Sequence, residues 1–332
     1  MVASVSLRQQ YGRAILVGAP VEGGANIAGS SRGPSALRMT GLRGMLGKLA
    51  CRADHGDLAP VGDEPASNPA VACARKPSEV ALWIPSLSQA AYELARGGDV
   101  PVFLGGDHSL SMGTVDGIAR ACAENGRELF LLWLDAHPDF NTPATSPSGN
   151  PHGMSLAFLC GEPGFEPVLG IPARKAVDPG NVFILGMRSV DADEGEVLKR
   201  RGVNLIDMYE IRQRGITAPM RRILGTVAEH DGVLHVSLDA DFVDPSFIPA
   251  VNVPVPGGVS YAEAQLIMQM LNESGLVASL DVAEFNPLLD AEGQSARAIA
   301  ELVACLFDQE SEGRHDYSRR KSRYGYDAAQ VN

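Results

Sequence analysis

Two aspartates and a histidine follow an apolar run in the segment 135–141, and their spacing suits metal chemistry. On an extended chain, side chains at positions i, i+2 and i+4 point to the same side. We therefore expect Asp135, His137 and Asp139 to project together from the tip of one strand. Two carboxylates and an imidazole on one side form a site for hard or borderline divalent metals. The competing interpretation is a polar strand end that turns at Pro138.

Two further segments carry the same donor types after apolar runs. His108 follows the run 100–104 and two glycines, and Asp239 and Asp241 follow the run 233–238 with an i, i+2 spacing. Each motif alone is commonplace, as a capping histidine or a solvated acid pair. Together the three segments gather four carboxylates, which would repel one another unless cations balanced their charge. Two divalent ions ~3.5–4 Å apart on bridging carboxylates would also lower the pKa of a shared water.

Apolar runs alternate with helical patterns along the chain, which indicates an α/β protein. Predicted strands cover residues 14–18, 100–104, 129–134, 182–186, 203–207, 233–238 and 277–281, and predicted helices cover 34–42, 78–96, 110–123, 217–229, 260–272 and 295–307. This alternation predicts a mainly parallel central sheet covered on both faces, a three-layer αβα architecture. Open parallel sheets form ligand sites at the carboxyl ends of their strands, where the candidate residues fall. Residues 52–76 are polar and contain prolines, so we expect them to be irregular.

Composition and charge bound the class of protein. The 332 residues, 45% hydrophobic and 20% charged, suit one large domain as well as two small ones. The net charge of −12 argues against nucleic acid or an anionic membrane as a partner, because either needs a basic surface. Five cysteines without Cys-x-x-Cys spacing indicate neither a disulfide framework nor a thiolate zinc site. Without an N-terminal apolar segment or an apolar span of ~18 residues, we expect a cytoplasmic protein.

Three segments, 105–110, 135–139 and 237–245, resemble the signature segments of the ureohydrolases. The segment 148–153 resembles the arginase form of the substrate loop in that family. The resemblance runs in the expected order over residues 15–307. It therefore implies the arginase/deacetylase-like version of the predicted α/β fold.

The resemblance also implies a cofactor and a reaction. Two Mn²⁺ ions would be held, one by His108, Asp135, Asp139 and Asp239, and the other by His137, Asp135, Asp239 and Asp241. A hydroxide between the ions would attack the guanidinium carbon of L-arginine and give L-ornithine and urea. Asp139 would take the proton of that hydroxide, and His152 would carry a proton to the leaving amine. Glu284 would orient the guanidinium by a charge-assisted hydrogen bond.

For the amino-acid end of the substrate, the resemblance implies contacts from five further residues, Asn141, Ser146, Ser148, Asn150 and Asp191. Neutral donors around the α-carboxylate favour a zwitterionic amino acid over a decarboxylated amine. Two positions depart from the family pattern. Val253 stands where arginases generally carry a threonine, and Ser189 stands where the family usually has an aspartate. The lost hydroxyl removes one hydrogen bond, worth ~1 kcal/mol net.

These departures leave other functions open. An agmatinase or a guanidino-acid hydrolase would fit Val253 and Ser189. A catalytically silent, metal-binding structural protein predicts a broken ligand set, and a zinc deacetylase would need fewer carboxylates at the metal. The resemblance further implies a homo-oligomer, either a trimer or a hexamer. We expect one domain over residues 1–307 and a charged tail at 308–332, disordered or at a subunit interface.

Overall fold

The apolar runs pair as neighbouring strands of one sheet in the computed structural model, which describes residues 12–62 and 76–308. Over these residues the strands are β1 Ala14–Ala19, β2 Cys51–Asp57, β3 Val100–Gly105, β4 Leu129–Leu134, β5 Val182–Met187, β6 Asn204–Asp207, β7 Val233–Asp239 and β8 Val277–Ala283. Their order is β2-β1-β3-β8-β7-β4-β5-β6, and every neighbouring pair is parallel. The predicted α/β class with a parallel central sheet is confirmed.

Helices cover both faces of the sheet. Within the described ranges they are α1 Gly33–Met39, α2 Leu42–Ala50, α3 Pro77–Ala95, α4 Ser111–Glu124, α5 Ser155–Leu159, α6 Glu166–Leu169, α7 Ala192–Arg201, α8 Met208–Arg214, α9 Thr217–Glu229, α10 Tyr261–Ser274 and α11 Gln294–Leu306. None of these helices is long and apolar enough to cross a membrane.

Two hydrophobic cores lie on opposite faces of the sheet, because alternate strand residues point to opposite sides. Along β1, Leu16 belongs to one core, whereas Ile15 and Val17 belong to the other. Helices α1, α2 and α8 to α11 pack on the first core, and helices α3 to α7 pack on the second. The result is the predicted three-layer αβα arrangement.

The prediction that residues 52–76 are irregular is wrong over β2. This strand lies at the edge of the sheet and pairs only with β1 within the described chain, so its polar residues remain partly exposed. Arg38 binds the carboxylates of Asp54 and Asp57 and so fastens the edge strand to α1. Residues 58–62 and 76 lie outside any helix or strand, as predicted, and residues 63–75 lie outside the described residues. Most of the predicted tail, residues 309–332, does so too.

The topology brings four strand ends together. Strands β3, β8, β7 and β4 are consecutive neighbours in the sheet, although they are far apart in sequence. A tight approach behind β3 requires glycine, because a Cβ on Gly106 would collide with the backbone of Val21. Gly106 thus lets the chain turn at once into the short 3₁₀ helix His108–Leu110. That turn brings His108 over the neighbouring strands.

Candidate active site

The first group of predicted ligands surrounds one nitrogen of His108. Its Nδ1 lies 3.2 Å from Asp135 Oδ2, 3.0 Å from Asp139 Oδ2 and 3.1 Å from Asp239 Oδ2. All four residues are buried, and His108 and Asp135 are inaccessible to solvent. The structure therefore brings together the four residues predicted for one ion.

The second group forms around His137. Its Nδ1 lies 3.0 Å from Asp241 Oδ2 and 3.6 Å from Asp135 Oδ1. Asp135 thus turns one carboxylate oxygen toward each histidine, as a bridging ligand would. Asp239 differs, because its Oδ1 accepts the backbone N–H of Asp241 while its Oδ2 faces His108. The geometry therefore brings Asp135, and not Asp239, into both candidate groups.

The environment of His108 fits a metal ligand. Its Nδ1 is buried and has no hydrogen-bond partner among the described residues, although three carboxylate oxygens surround it. An orphaned buried nitrogen is costly unless a cation occupies the space it faces. A donor set of imidazole nitrogen and carboxylate oxygen suits divalent transition metals, including manganese.

Electrostatics support the same interpretation. Burial, with the charge of Asp135, raises the pKa of Asp139 to about 6. Burial, with Asp241 and Asp135, raises the pKa of Asp239 well above its usual value. Burial disfavours the charged form of His137, but Asp135 and Asp241 outweigh it and raise its pKa to about 12. The metal-free cluster must therefore hold protons that bound cations would replace.

The chain after β4 does not stay extended, so the i, i+2, i+4 spacing alone does not explain how Asp135, His137 and Asp139 come together. Asp139 has φ +49, and Glu284, after β8, has φ +62, a conformation that non-glycine residues rarely adopt. Such backbone strain is concentrated at functional sites. The turn at Asp139 brings its carboxylate back toward His108.

His152 and Glu284 form a pair beside this cluster. His152 Nδ1 lies 2.9 Å from Glu284 Oε1, and the same oxygen accepts the backbone N–H of His108 at 2.8 Å. Burial opposes the charged form of His152, but Glu284 outweighs it and raises the pKa of His152 to about 9. A protonated imidazole next to a carboxylate can donate a proton at neutral pH.

Comparison with known proteins decides the family. The family model described as "Arginase family" matches residues 12–308. The arginase of Agrobacterium fabrum is 47% identical over 294 residues, which are 88% of this chain and 90% of that protein. The chain belongs to the arginase family. Among solved structures, the arginase of Bacillus caldovelox gives a TM-score of 0.80 at 33% identity, and covers 90% of this chain and 99% of its own.

A second solved member of the arginase family carries a ligand. The arginase of Entamoeba histolytica, solved in complex with L-ornithine, gives a TM-score of 0.79 at 25% identity. The match covers 90% of this chain and 99% of that chain. This family is metal-dependent, in agreement with the histidine and aspartate groups described above.

The residues predicted at the amino-acid end lie mainly on the loop that follows β4. Asn141 Nδ2 donates to Asp191 Oδ2 at 3.0 Å, so these two predicted residues meet directly. Asp191 is also the N-cap of α7, in a capping box with Glu194. Ser146 Oγ accepts the N–H of Gly149.

The rest of that loop is organised in the same way. Ser148 Oγ accepts the N–H of Asn150 at 3.2 Å. Asn150 Oδ1 is buried without a hydrogen-bond partner in the described chain.

The two residues that depart from the family pattern lie on other segments. Val253 is 44% exposed, on a separate loop after β7. Ser189 follows β5, and its backbone N–H donates to Ala136 O.

Sequence reasoning missed the buried residues that support the predicted ligands. The indole N–H of Trp133 donates to Asp135 Oδ2 at 2.9 Å, and its ring stacks on His108 at 4.0 Å. Asp107 Oδ2 accepts the N–H of Gly24, which ties the loop after β1 to the site. Asp107 lies next to His108 inside the segment 105–110, and Trp133 lies two residues before Asp135, just outside the segment 135–139. A polar or aromatic residue within two positions of a predicted ligand was the signal available for finding them.

Proposed function

We propose that this chain is an arginase, which hydrolyses L-arginine to L-ornithine and urea with two Mn²⁺ ions. The observation that carries the proposal is the convergence of two histidine-centred carboxylate groups on Asp135, beside the His152–Glu284 pair. Relatives named arginase, at 47% identity over most of the chain, support the same reaction.

Six residues would hold the ions. We assign His108, Asp139 and Asp239 to one ion, His137 and Asp241 to the other, and Asp135 to both. Asp239 would hold both ions only if its Oδ1 no longer accepted the backbone N–H of Asp241. When bound, the two ions lower the pKa of a shared water and supply hydroxide near neutral pH.

The other groups bind the guanidinium and move protons. Glu284 accepts hydrogen bonds from the guanidinium, and a charge-assisted bond of this kind orients the carbon for addition. Asp139 accepts the proton that is lost on addition. His152 donates a proton to the leaving nitrogen, so that the C–N bond breaks and a neutral amine departs. The products are urea and the amine of L-ornithine.

The loop residues would bind the amino-acid end. Asn141, Ser146, Ser148 and Asn150 offer neutral donors to the α-carboxylate, and Asp191 offers a carboxylate to the α-ammonium group. The ornithine complex of the Entamoeba histolytica relative supports an amino acid as the ligand class. An agmatinase or guanidino-acid hydrolase remains a second candidate, favoured by Val253 and Ser189.

Urea release measured with L-arginine, agmatine and guanidinobutyrate side by side tests the proposal. We expect L-arginine to be the best substrate, and metal analysis to give two manganese ions per chain. If L-arginine is the poorest of the three, the arginase assignment fails. If a fully metal-stripped sample keeps its turnover, the metal mechanism fails.

The assembly and location are proposals of the same kind. We infer a homo-oligomer, a trimer or a hexamer, of cytoplasmic chains with one domain over residues 1–307 and a tail at 308–332. Sedimentation of the full chain and of a chain ending at residue 308 tests the oligomer and the role of the tail. A purely monomeric full-length chain would contradict the oligomer.

A further inference from the structure

A buried line of polar side chains leads away from His108 into the interior of the protein. His108 Nε2 lies 2.8 Å from Ser237 Oγ, Ser237 Oγ lies 3.3 Å from Ser111 Oγ, and Ser111 Oγ donates to Asp281 Oδ2 at 2.7 Å. All four side chains are inaccessible to solvent. Ser237 of β7 and Asp281 of β8 are register partners, so adjacent strands hold the line in place.

The hydrogens in this line have one consistent order. A carboxylate only accepts hydrogen bonds, so Ser111 must give its hydroxyl hydrogen to Asp281. The oxygen of Ser111 is then free to accept from Ser237, and the oxygen of Ser237 accepts from Nε2–H of His108. The proton of the neutral imidazole is thereby fixed on Nε2. Its lone pair on Nδ1 faces the three carboxylates of the candidate metal group.

We propose that Asp281 is a positioning residue that sets the tautomer of His108 through Ser111 and Ser237. The inference rests on the proposed metal site, because the tautomer matters only if Nδ1 binds an ion. Partners of this kind, which fix the orientation and protonation of a ligating histidine, typically affect metal affinity 10–100-fold. Asp281 lies on β8, whereas the proposed ligands follow β3, β4 and β7, which explains why the ligand motifs alone do not reveal it.

Other contacts of Asp281 separate this role from a merely structural one. Thr114 Oγ1 donates to the same Oδ2 at 2.6 Å but does not connect to His108. His235 Nε2 lies 3.3 Å from Oδ2, and its Nδ1 lies 2.7 Å from Ser279 Oγ. Asp281 therefore also joins β7, β8 and α4. A substitution there must be judged by a measurement that loss of packing alone would not change.

Comparison of Asp281→Asn with Asp281→Ala provides that measurement. The asparagine amide can donate to Ser111, which reverses both hydroxyls so that Ser237 donates to Nε2 and the proton moves to Nδ1. Alanine removes the acceptor for Ser111, so the direction of the two hydroxyl hydrogens is no longer fixed, but it is not reversed. We expect Mn²⁺ affinity of the full-length protein to fall about 100-fold in D281N and about 10-fold in D281A.

Thermal stability should rank D281N and D281A in the opposite order to their Mn²⁺ affinity. D281A leaves a cavity and unpartnered hydroxyls, so its thermal unfolding temperature should fall below that of D281N. Thr114→Val is the matched control, and should keep Mn²⁺ affinity within threefold of the wild type. Calorimetric titration measures Mn²⁺ affinity and thermal unfolding measures stability, and neither measurement depends on turnover.

The outcomes are distinct. Mn²⁺ affinity lower in D281N than in D281A, with T114V near the wild type, supports the positioning role. Mn²⁺ affinity lower in D281A, or equal losses in T114V, overturns it and leaves Asp281 a structural residue. A wild-type protein that binds no Mn²⁺ contradicts the proposed function itself, whereas a wild type that binds two ions with D281N unaffected contradicts only this inference.

Discussion

The two halves of the candidate site, the proposed metal ligands and the proposed amino-acid contacts, lie on different kinds of structural element. The proposed metal ligands follow strand ends, and most of them are buried, with hydrogen bonds to neighbouring backbone and side chains. The proposed amino-acid contacts lie on loops and bind mostly one another, as Asn141 does with Asp191. Rigid elements hold groups more accurately than loops, and loops vary more readily. The strand ends therefore determine the reaction type, and the loops determine which guanidino compound is accepted.

The largest effect should come from the residue shared by both ions. Asp135→Asn removes the carboxylate that faces both His108 and His137. Metal ions supply several kcal/mol of transition-state stabilisation, so we expect kcat/KM to fall at least about 10³-fold. Urea release and manganese content measure the effect. Asp116→Asn, a buried aspartate bonded to Ser88 outside the site, is the control and should keep both ions.

His152→Asn should give the next largest effect and separates proton transfer from metal binding. General acid catalysis contributes about 10²–10⁴-fold, so we expect kcat to fall at least about 10²-fold while two manganese ions stay bound. His230→Asn, at the exposed end of α9, is the matched control. Loss of manganese in the His152 variant would place this histidine among the structural supports of the metal cluster instead.

The difference between the two halves also explains what sequence reasoning achieved. Strand-end residues such as Asp239 were predictable because continuous apolar runs fix where strands end, and the parallel topology brings those ends together. The edge strand Cys51–Asp57 was missed because its polar residues, such as Asp54, are satisfied by Arg38 and do not form an apolar run. The line from His108 to Asp281 depends on strand register, which no local pattern encodes.

A third prediction uses pH and concerns stability. Glu284 raises the pKa of His152 to about 9, above the ordinary value of 6.5, so the folded state holds this proton more tightly than the unfolded state. The resulting stability is fully present below pH 6.5 and is lost as the pH rises through 9. Its size is about 3 kcal/mol, because one pKa unit corresponds to about 1.4 kcal/mol.

Glu284→Gln should flatten this pH dependence. Without the carboxylate, the pKa of His152 moves back toward its ordinary value, and the free energy of unfolding changes less between pH 6.5 and pH 9. Urea denaturation in the presence of a chelator measures the difference for the wild type and the variant. If the free energy of unfolding changes equally between pH 6.5 and pH 9 in the two proteins, Glu284 does not hold the proton of His152.

The smallest effect tests the loop half of the site. Val253→Thr restores the hydroxyl that arginases generally carry, and one hydrogen bond worth ~1 kcal/mol corresponds to a roughly fivefold gain in kcat/KM for L-arginine. The loop is well held, because Arg188 donates to Val255 O and Asp244 accepts the N–H of Gly257. A hydroxyl placed there should therefore keep one orientation.

The control for this gain is Val253→Ala, which changes bulk without adding a donor. We expect it to leave kcat/KM for L-arginine unchanged or lower. An equal gain in both variants would mean that the valine obstructs the substrate, and a gain for agmatine instead of L-arginine would favour the second candidate function. Because Val253 belongs to neither ion group, manganese content should stay constant in both variants, so any change in substrate preference comes from the loop alone.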